Sequence, residues 1–255
     1  MTAQIDLNCD IGEGFGRWRM PYDAELMELV TTVNVAAGFH AGDPTIIRAT
    51  VDKALSEGVD IGVHVALPDL LGFGRRTMSV TPAEVRDYCT YQIGAVAGFV
   101  TAAGGILTHV KPHGALYAMA SQNPEVASAI ARSIREYDPS LRLFLLNERC
   151  AQPVHEEGVT LVTEGFPELH YDDEGQLILE RDKTPWDPLT VARRAVEMAQ
   201  GAGIASQSGT HLDLDVRTIC VHSDAPNVLQ VTRELLAALD LAGIEATALS
   251  RQRDG

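Results

Sequence analysis

Short apolar runs that end on polar or ionisable groups recur along the chain: IDLNCD, VNVAAGFHAGD, VDIGVH, ILTHVKPHG, LRLFLLNE and TICVHSD. A parallel strand buried on both faces reads as such a run, and ligands of α/β proteins gather at the carboxyl ends of the strands. Between the runs, apolar residues return at helical spacing. The pattern predicts a strand over 4–8, a helix over 21–32 with Leu26, Leu29 and Val30 on one stripe, and a second strand in VNVAAGF. A helix from Asp43-Pro44 to Gly58 follows, then strand VDIGVH and a loop. Thr81-Pro82 with Glu84 opens a long helix that Gly104-Gly105 closes. Strand ILTHVK, a helix from Asn123 to about Tyr137, strand LRLFLLN, a short helix over 150–157 and strand TLVTEG come next. The stretch FPELHYDDEGQLILERDKTPW reads as irregular and charged. Helix DPLTVARRAVEMAQG, strand RTICVHSD, helix NVLQVTRELLAALDLAG and a last strand in EATALS complete the series.

Such alternation fits an open doubly wound sheet or a closed β/α barrel. Polar strand ends in nearly every unit favour closure, because loops at one barrel face build the site. No dinucleotide-binding glycine fingerprint follows the first strand, and no Gly-Lys-Ser/Thr phosphate loop occurs. No linker divides the chain. The expected fold is therefore an α/β single-domain distorted β/α (TIM-like) barrel over residues 1–255.

Composition narrows the partners. Thirty-five acids against twenty bases give a net charge of −15, which opposes nucleic acid and anionic membranes. The four cysteines lack CxxC or zinc-finger spacing, and Cys9 and Cys220 read as buried thiols. With no leader pattern and no long uncharged apolar run, a soluble protein of the reducing cytoplasm is expected. Self-association stays open.

The chemistry concentrates at strand ends. In extended chain His109, Lys111 and His113 point the same way, and three ionisable groups on one apolar strand need partners to be buried. Asp10 and Glu13 can turn over the barrel mouth after Cys9, while Asp6 lies deeper and orients other groups. His40 and His64 each follow an apolar run, and with His113 they resemble an acid–base or divalent-metal pocket. Gly72 and Gly74 would let Arg75 or Arg76 cover an anion. Asp10, Glu13, His64, Lys111 and His113 are the candidate catalytic residues. Asn8, His40, Asp43, Arg75, Arg76 and Asp224 are candidates for binding substrate or phosphate, with capping roles also open to Asp43 and Asp224. Were a metal present, Asp10, His40, His64 and His113 would be its ligands.

The segments IDLNCDIGEGFG, NVAAGFHAGDP, GVH with PDLLGFGRR, YQIGA, HVKPHGALY and ICVHSDAPN resemble the LamB/YcsF family. That resemblance spans nearly the whole chain and implies a distorted β/α barrel related to the glycoside hydrolase/deacetylase superfamily. It implies one component of an ATP-dependent enzyme that works with separate B and C subunits. Together they would open the lactam of 5-oxo-L-proline to L-glutamate while ATP is hydrolysed to ADP and phosphate, with Mg²⁺ accompanying the nucleotide. The residues matching the family's polar motifs are Asp6, Asn8, Asp10, Glu13, His40, Asp43, His64, Lys111, His113 and Asp224. Departures fall at Ala37, where the family has Cys, and at Val65-Ala66, where it has Pro-Ser. They also fall at Phe166-Pro167-Glu168-Leu169 for Phe-Ala-Asp-Arg and at His222-Ser223-Asp224-Ala225 for His-Gly-Asp-Asn. The lost arginine bears on carboxylate recognition. Two rival readings are a stand-alone metal-dependent amidase or deacetylase and a non-catalytic ligand-sensing or scaffold subunit.

Overall fold

A computed structural model describes residues 3–178 and 184–252, so residues 179–183 of the irregular charged stretch and both chain ends lie outside the described residues. In chain order the elements begin β1 (Ala3–Ile11), α1 (Asp23–Met27), β2 (Thr32–Ala36), α2 (Pro44–Glu57), β3 (Asp60–Val65) and α3 (Pro82–Ala102). They continue β4 (Leu107–Pro112), α4 (Gly114–Gln122), α5 (Pro124–Tyr137), β5 (Arg142–Leu145), α6 (Ala151–Glu156) and β6 (Thr160–Gly165). The last are β7 (His170–Tyr171), β8 (Leu177–Ile178), α7 (Pro188–Ala199), β9 (Ile204–Ala205), β10 (His211–Leu212), β11 (Thr218–His222), α8 (Val228–Leu241) and β12 (Ile244–Ala246).

The strand order is β11-β6-β5-β4-β3-β2-β1-β12, and β11 also pairs with β1. Seven strands thus form the distorted parallel barrel expected from the alternation, with β12 beside the start of β1. The chain divides into two compact units. One comprises Met1–Cys9, Tyr22–Thr32 and Thr163–Gly255, and the other Asp10–Pro21 and Val33–Val162.

The second unit holds β3, β4 and β5 in parallel, with His64 opposite Lys111 in the β3–β4 register. Its helices start where the sequence supplies caps. Asp43 accepts from the amides of Thr45 and Ile46, and Thr81 with Glu84 forms a complete capping box. In the first unit β11 pairs with β6 and β12 with β1, and α7 packs on α8. All four cysteines are reduced and buried.

Several boundaries differ from those the sequence predicts. Strand β1 runs on to Ile11, because Asp10 finds buried partners. Helix α1 stops at Met27, and the hydroxyls of Thr31 and Thr32 instead donate to Asp6. Helix α4 fills 114–122, a segment without a helical signature, and a new helix starts at Pro124, where Asn123 caps the Glu125 amide. The last strand is Ile244–Ala246, which begins one residue before the predicted stretch 245–250 and ends within it. Within the stretch expected to be irregular, β7 and β8 pair as a two-stranded antiparallel ribbon.

Candidate active site

The second unit gathers six of the candidate residues in its interior. The extended chain from β4 into the turn before α4 presents His109, Lys111 and His113 in alternation, and all three are buried. Lys111 Nζ donates to Asp10 Oδ1 at 3.0 Å, and Asn34 Nδ2 donates to the same oxygen at 2.8 Å. His109 Nε2 donates to Asn34 Oδ1 at 2.6 Å, while Thr108 Oγ1 meets His109 Nδ1 at 2.8 Å. A relay of neutral groups thus ends on the Asp10 carboxylate opposite the lysine. Burial pushes the His109 imidazole down to about 3, with the Lys111 charge acting in the same direction, so His109 serves as a neutral link. Room for its ring comes from Gly62, where a Cβ would stand 2.1 Å from His109 Nε2.

Beside this pair lies a cluster of three histidines and Glu13. His40 Nε2 is 3.1 Å from Glu13 Oε1, and His113 Nδ1 is 3.4 Å from the same oxygen. His64 Nε2 is 2.9 Å from His113 Nδ1, 3.3 Å from Asp10 Oδ2 and 3.8 Å from Glu13 Oε1. The rings of His40 and His113 stack at 3.9 Å. Burial lowers the pKa of His40, and the Glu13 carboxylate opposes that shift. His113 is pushed well below its ordinary value by burial and then by the neighbouring imidazoles. One ligand atom from each of Glu13, His40, His64 and His113 lies within 4.8 Å of the others.

Two backbone carbonyls set the ring orientations. His113 Nε2 donates to the Phe73 carbonyl at 2.8 Å, and His64 Nδ1 donates to the Lys111 carbonyl at 3.1 Å. Phe73 is held at φ 53, a left-handed conformation that costs a non-glycine residue about 1 kcal/mol or more. In the neutral rings each remaining nitrogen carries a lone pair. These two nitrogens are the ones 2.9 Å apart.

The remaining candidates have other partners. Asp43 caps α2 and also accepts from the Gly16 amide at 2.9 Å. Arg76 pairs with Asp69, and the Arg75 guanidinium lies 5.1 Å from the Phe73 ring centre. Asn8 and Asp224 belong to the first unit. There Asn8 Nδ2 donates to Glu164 Oε1 at 2.9 Å and Thr218 Oγ1 at 2.8 Å, and Asp6 accepts from Thr31, Thr32 and Thr218. Sequence reasoning misses the pair His222 Nδ1–Glu168 Oε1, at 2.5 Å with the Phe166 ring stacked on His222. Its signals in the sequence are that His222 closes the apolar run TICVHSD and that two of the four departures, 166–169 and 222–225, contribute its residues. It also misses His109 and Asn34 as members of the site.

Comparison with known proteins matches residues 5–254 to the LamB/YcsF family profile. The A subunit of a 5-oxoprolinase from Bacillus cereus is 42% identical over 248 residues, covering 96% of this chain and 98% of the relative. The crystal structure of a lactam utilization protein from Thermus thermophilus superposes with a TM-score of 0.88 at 39% identity, covering 96% of this chain and all of that one. A deacetylase solved with substrate shares the fold at a TM-score of 0.50 and 15% identity, over 98% of this chain and 89% of that one.

Proposed function

Since the chain belongs to the LamB/YcsF family, we propose that it is the A subunit of an ATP-dependent 5-oxoprolinase of the cytoplasm. With B and C subunits it opens the lactam of 5-oxo-L-proline to L-glutamate as ATP becomes ADP and phosphate. The observation that carries this reading is the near full-length likeness to 5-oxoprolinase A subunits. The buried, ionisable interior of the second unit supports it.

A lactam resists water because nitrogen donates into its carbonyl. ATP, as co-substrate, removes that donation by phosphorylating the amide oxygen. The chain's own groups then bind and move protons. Lys111, held by Asp10, offers a fixed positive charge to the oxygen that gains negative charge. Arg75 adds charge toward a phosphate, whereas Arg76 is engaged by Asp69. Asp10 or Glu13 takes the proton from the attacking water, His64 or His113 returns one to the departing ring nitrogen, and a second water then cleaves the resulting acyl phosphate to L-glutamate and phosphate. Mg²⁺ takes oxygen donors, and the nitrogen-rich cluster does not suit it, so that ion is assigned to the nucleotide.

The test mixes the chain with B and C subunits, ATP and a panel of lactams, and follows ring opening together with ADP release. Lys111→Ala is expected to lower turnover at least about 100-fold. Removing one partner of a buried ion pair also costs roughly 3–5 kcal/mol of stability, so a Lys111→Met/Asp10→Asn double variant serves as the folded control. Unchanged turnover in both would defeat the lysine assignment. A second reading, an amidase acting alone, is favoured by the convergence of Glu13 with three imidazoles. Ring opening by the isolated chain without ATP would select it.

A further inference from the structure

We infer that His64, His113, Glu13 and His40 form a binding site for one divalent transition-metal ion of the zinc class. The two carbonyls are decisive. Because Phe73 and Lys111 each accept one imidazole N–H, His113 and His64 turn their other ring nitrogens toward each other across 2.9 Å. Glu13 Oε1 adds a third electron-rich atom 3.4 and 3.8 Å from them, and His40 Nε2 completes the group at 3.1 Å from Glu13. Ligand atoms of four buried side chains thus lie within 4.8 Å of one another, a concentration of electron-rich groups that a cation among them would offset.

The spacing fits such an ion. Zinc–nitrogen bonds of about 2.0 Å place tetrahedral donors roughly 3.3 Å apart, and the four separations just given bracket that value. Three imidazoles with one carboxylate suit zinc or cobalt and disfavour magnesium or calcium, which take oxygen. Asp10 is not in the set: its Oδ1 accepts from Lys111 and Asn34, and although its Oδ2 stands 3.3 Å from His64 Nε2, it is not among the four whose ligand atoms all lie within 4.8 Å of one another. A metal-bound histidine ordinarily donates its second N–H to a fixed acceptor. His64 and His113 do so, whereas His40 Nδ1 is buried without a hydrogen-bond partner. His40 is therefore the weakest of the four ligands.

With the ion bound, Glu13, His64 and His113 hold it rather than move protons, which leaves Asp10 as the base. The experiment uses the full chain alone and so stands or falls separately from the lactam reading. Protein stripped by a chelator is equilibrated with Zn²⁺, dialysed and analysed for metal, and a parallel sample is titrated with Co²⁺. About one zinc per chain and the intense visible bands of tetrahedral cobalt are expected. Affinity falls at least about 100-fold in His64→Gln and Glu13→Gln, and about tenfold in His40→Gln. Less than about a tenth of an equivalent of zinc overturns the site. So does uptake that persists unchanged in His64→Gln and Glu13→Gln, which marks an ion held elsewhere. Should a variant fail to fold, the cobalt spectrum of the unmodified chain decides: octahedral, weak bands reject the proposed ligand set.

Discussion

At the scale of single residues, the buried histidines couple the fold to pH. His109 titrates near 6.5 in the unfolded chain but only at about 3 in the folded one. Above pH 6.5 both states are neutral and the group contributes no pH dependence. Below it the unfolded chain takes up a proton that the folded chain refuses, so stability falls as pH drops from 6.5 toward 3. The slope is about 1.4 kcal/mol per pH unit, or roughly 2 kcal/mol lost by pH 5 from this residue. His40 and His113 act in the same direction. Melting temperatures at pH 7 and pH 5 check this: His109→Gln should be less stable at pH 7 yet lose less on acidification. Polar groups closing apolar runs made Asp10, Glu13, His40, His64, Lys111 and His113 legible in the sequence. Which of them face one another was not, because that depends on pairing between strands far apart in the chain. For the same reason Asn34 escaped notice, and His109, though visible on its strand face, was not read as a member of the site. Each sits inside its strand, with a partner 75 positions away.

At the scale of elements, the chain advertises its helix starts. Thr81 accepts from the Glu84 amide while Glu84 accepts from the Thr81 amide at 2.7 Å, and Pro82 takes the first helical position. Thr81→Ala should cost about 1 kcal/mol, read as a lower midpoint in urea unfolding with unchanged m. An unchanged midpoint would mean that packing of α3 on α5 alone sets its boundary. Helices α2, α3, α5, α7 and α8 were legible from period and punctuation. Helix α4 was not, since GALYAMASQ is short, mostly apolar and begins directly after a strand, so it shows no polar face to set a period. Helix α1 is shorter than its sequence pattern because the strand former Thr32 and its neighbour Thr31 answer to Asp6, a contact invisible in local sequence.

For the whole molecule, the surplus of fifteen negative charges is the dominant long-range term. Self-repulsion opposes compactness and is screened by salt. Raising sodium chloride from a few millimolar toward physiological strength should therefore raise the melting temperature, by roughly 2–4 °C for each 1 kcal/mol relieved. A flat response would show that opposite charges are already well interspersed. Among the described residues no helix is long and apolar enough to cross a membrane. The closed β/α barrel followed from the alternation together with the polar strand ends, though not its count of seven strands, whereas the division into two compact units has no linker or composition shift to announce it.

The enclosed sulfur atoms have a practical corollary. Every cysteine of the chain is shielded in the native state, so maleimide chemistry finds no background target. Replacing Leu71, 95% exposed on the loop that leads to Phe73, with a cysteine would supply one reactive handle for a fluorophore. Encounters with the proposed partner subunits could then be timed on the protein without first stripping it of its own thiols.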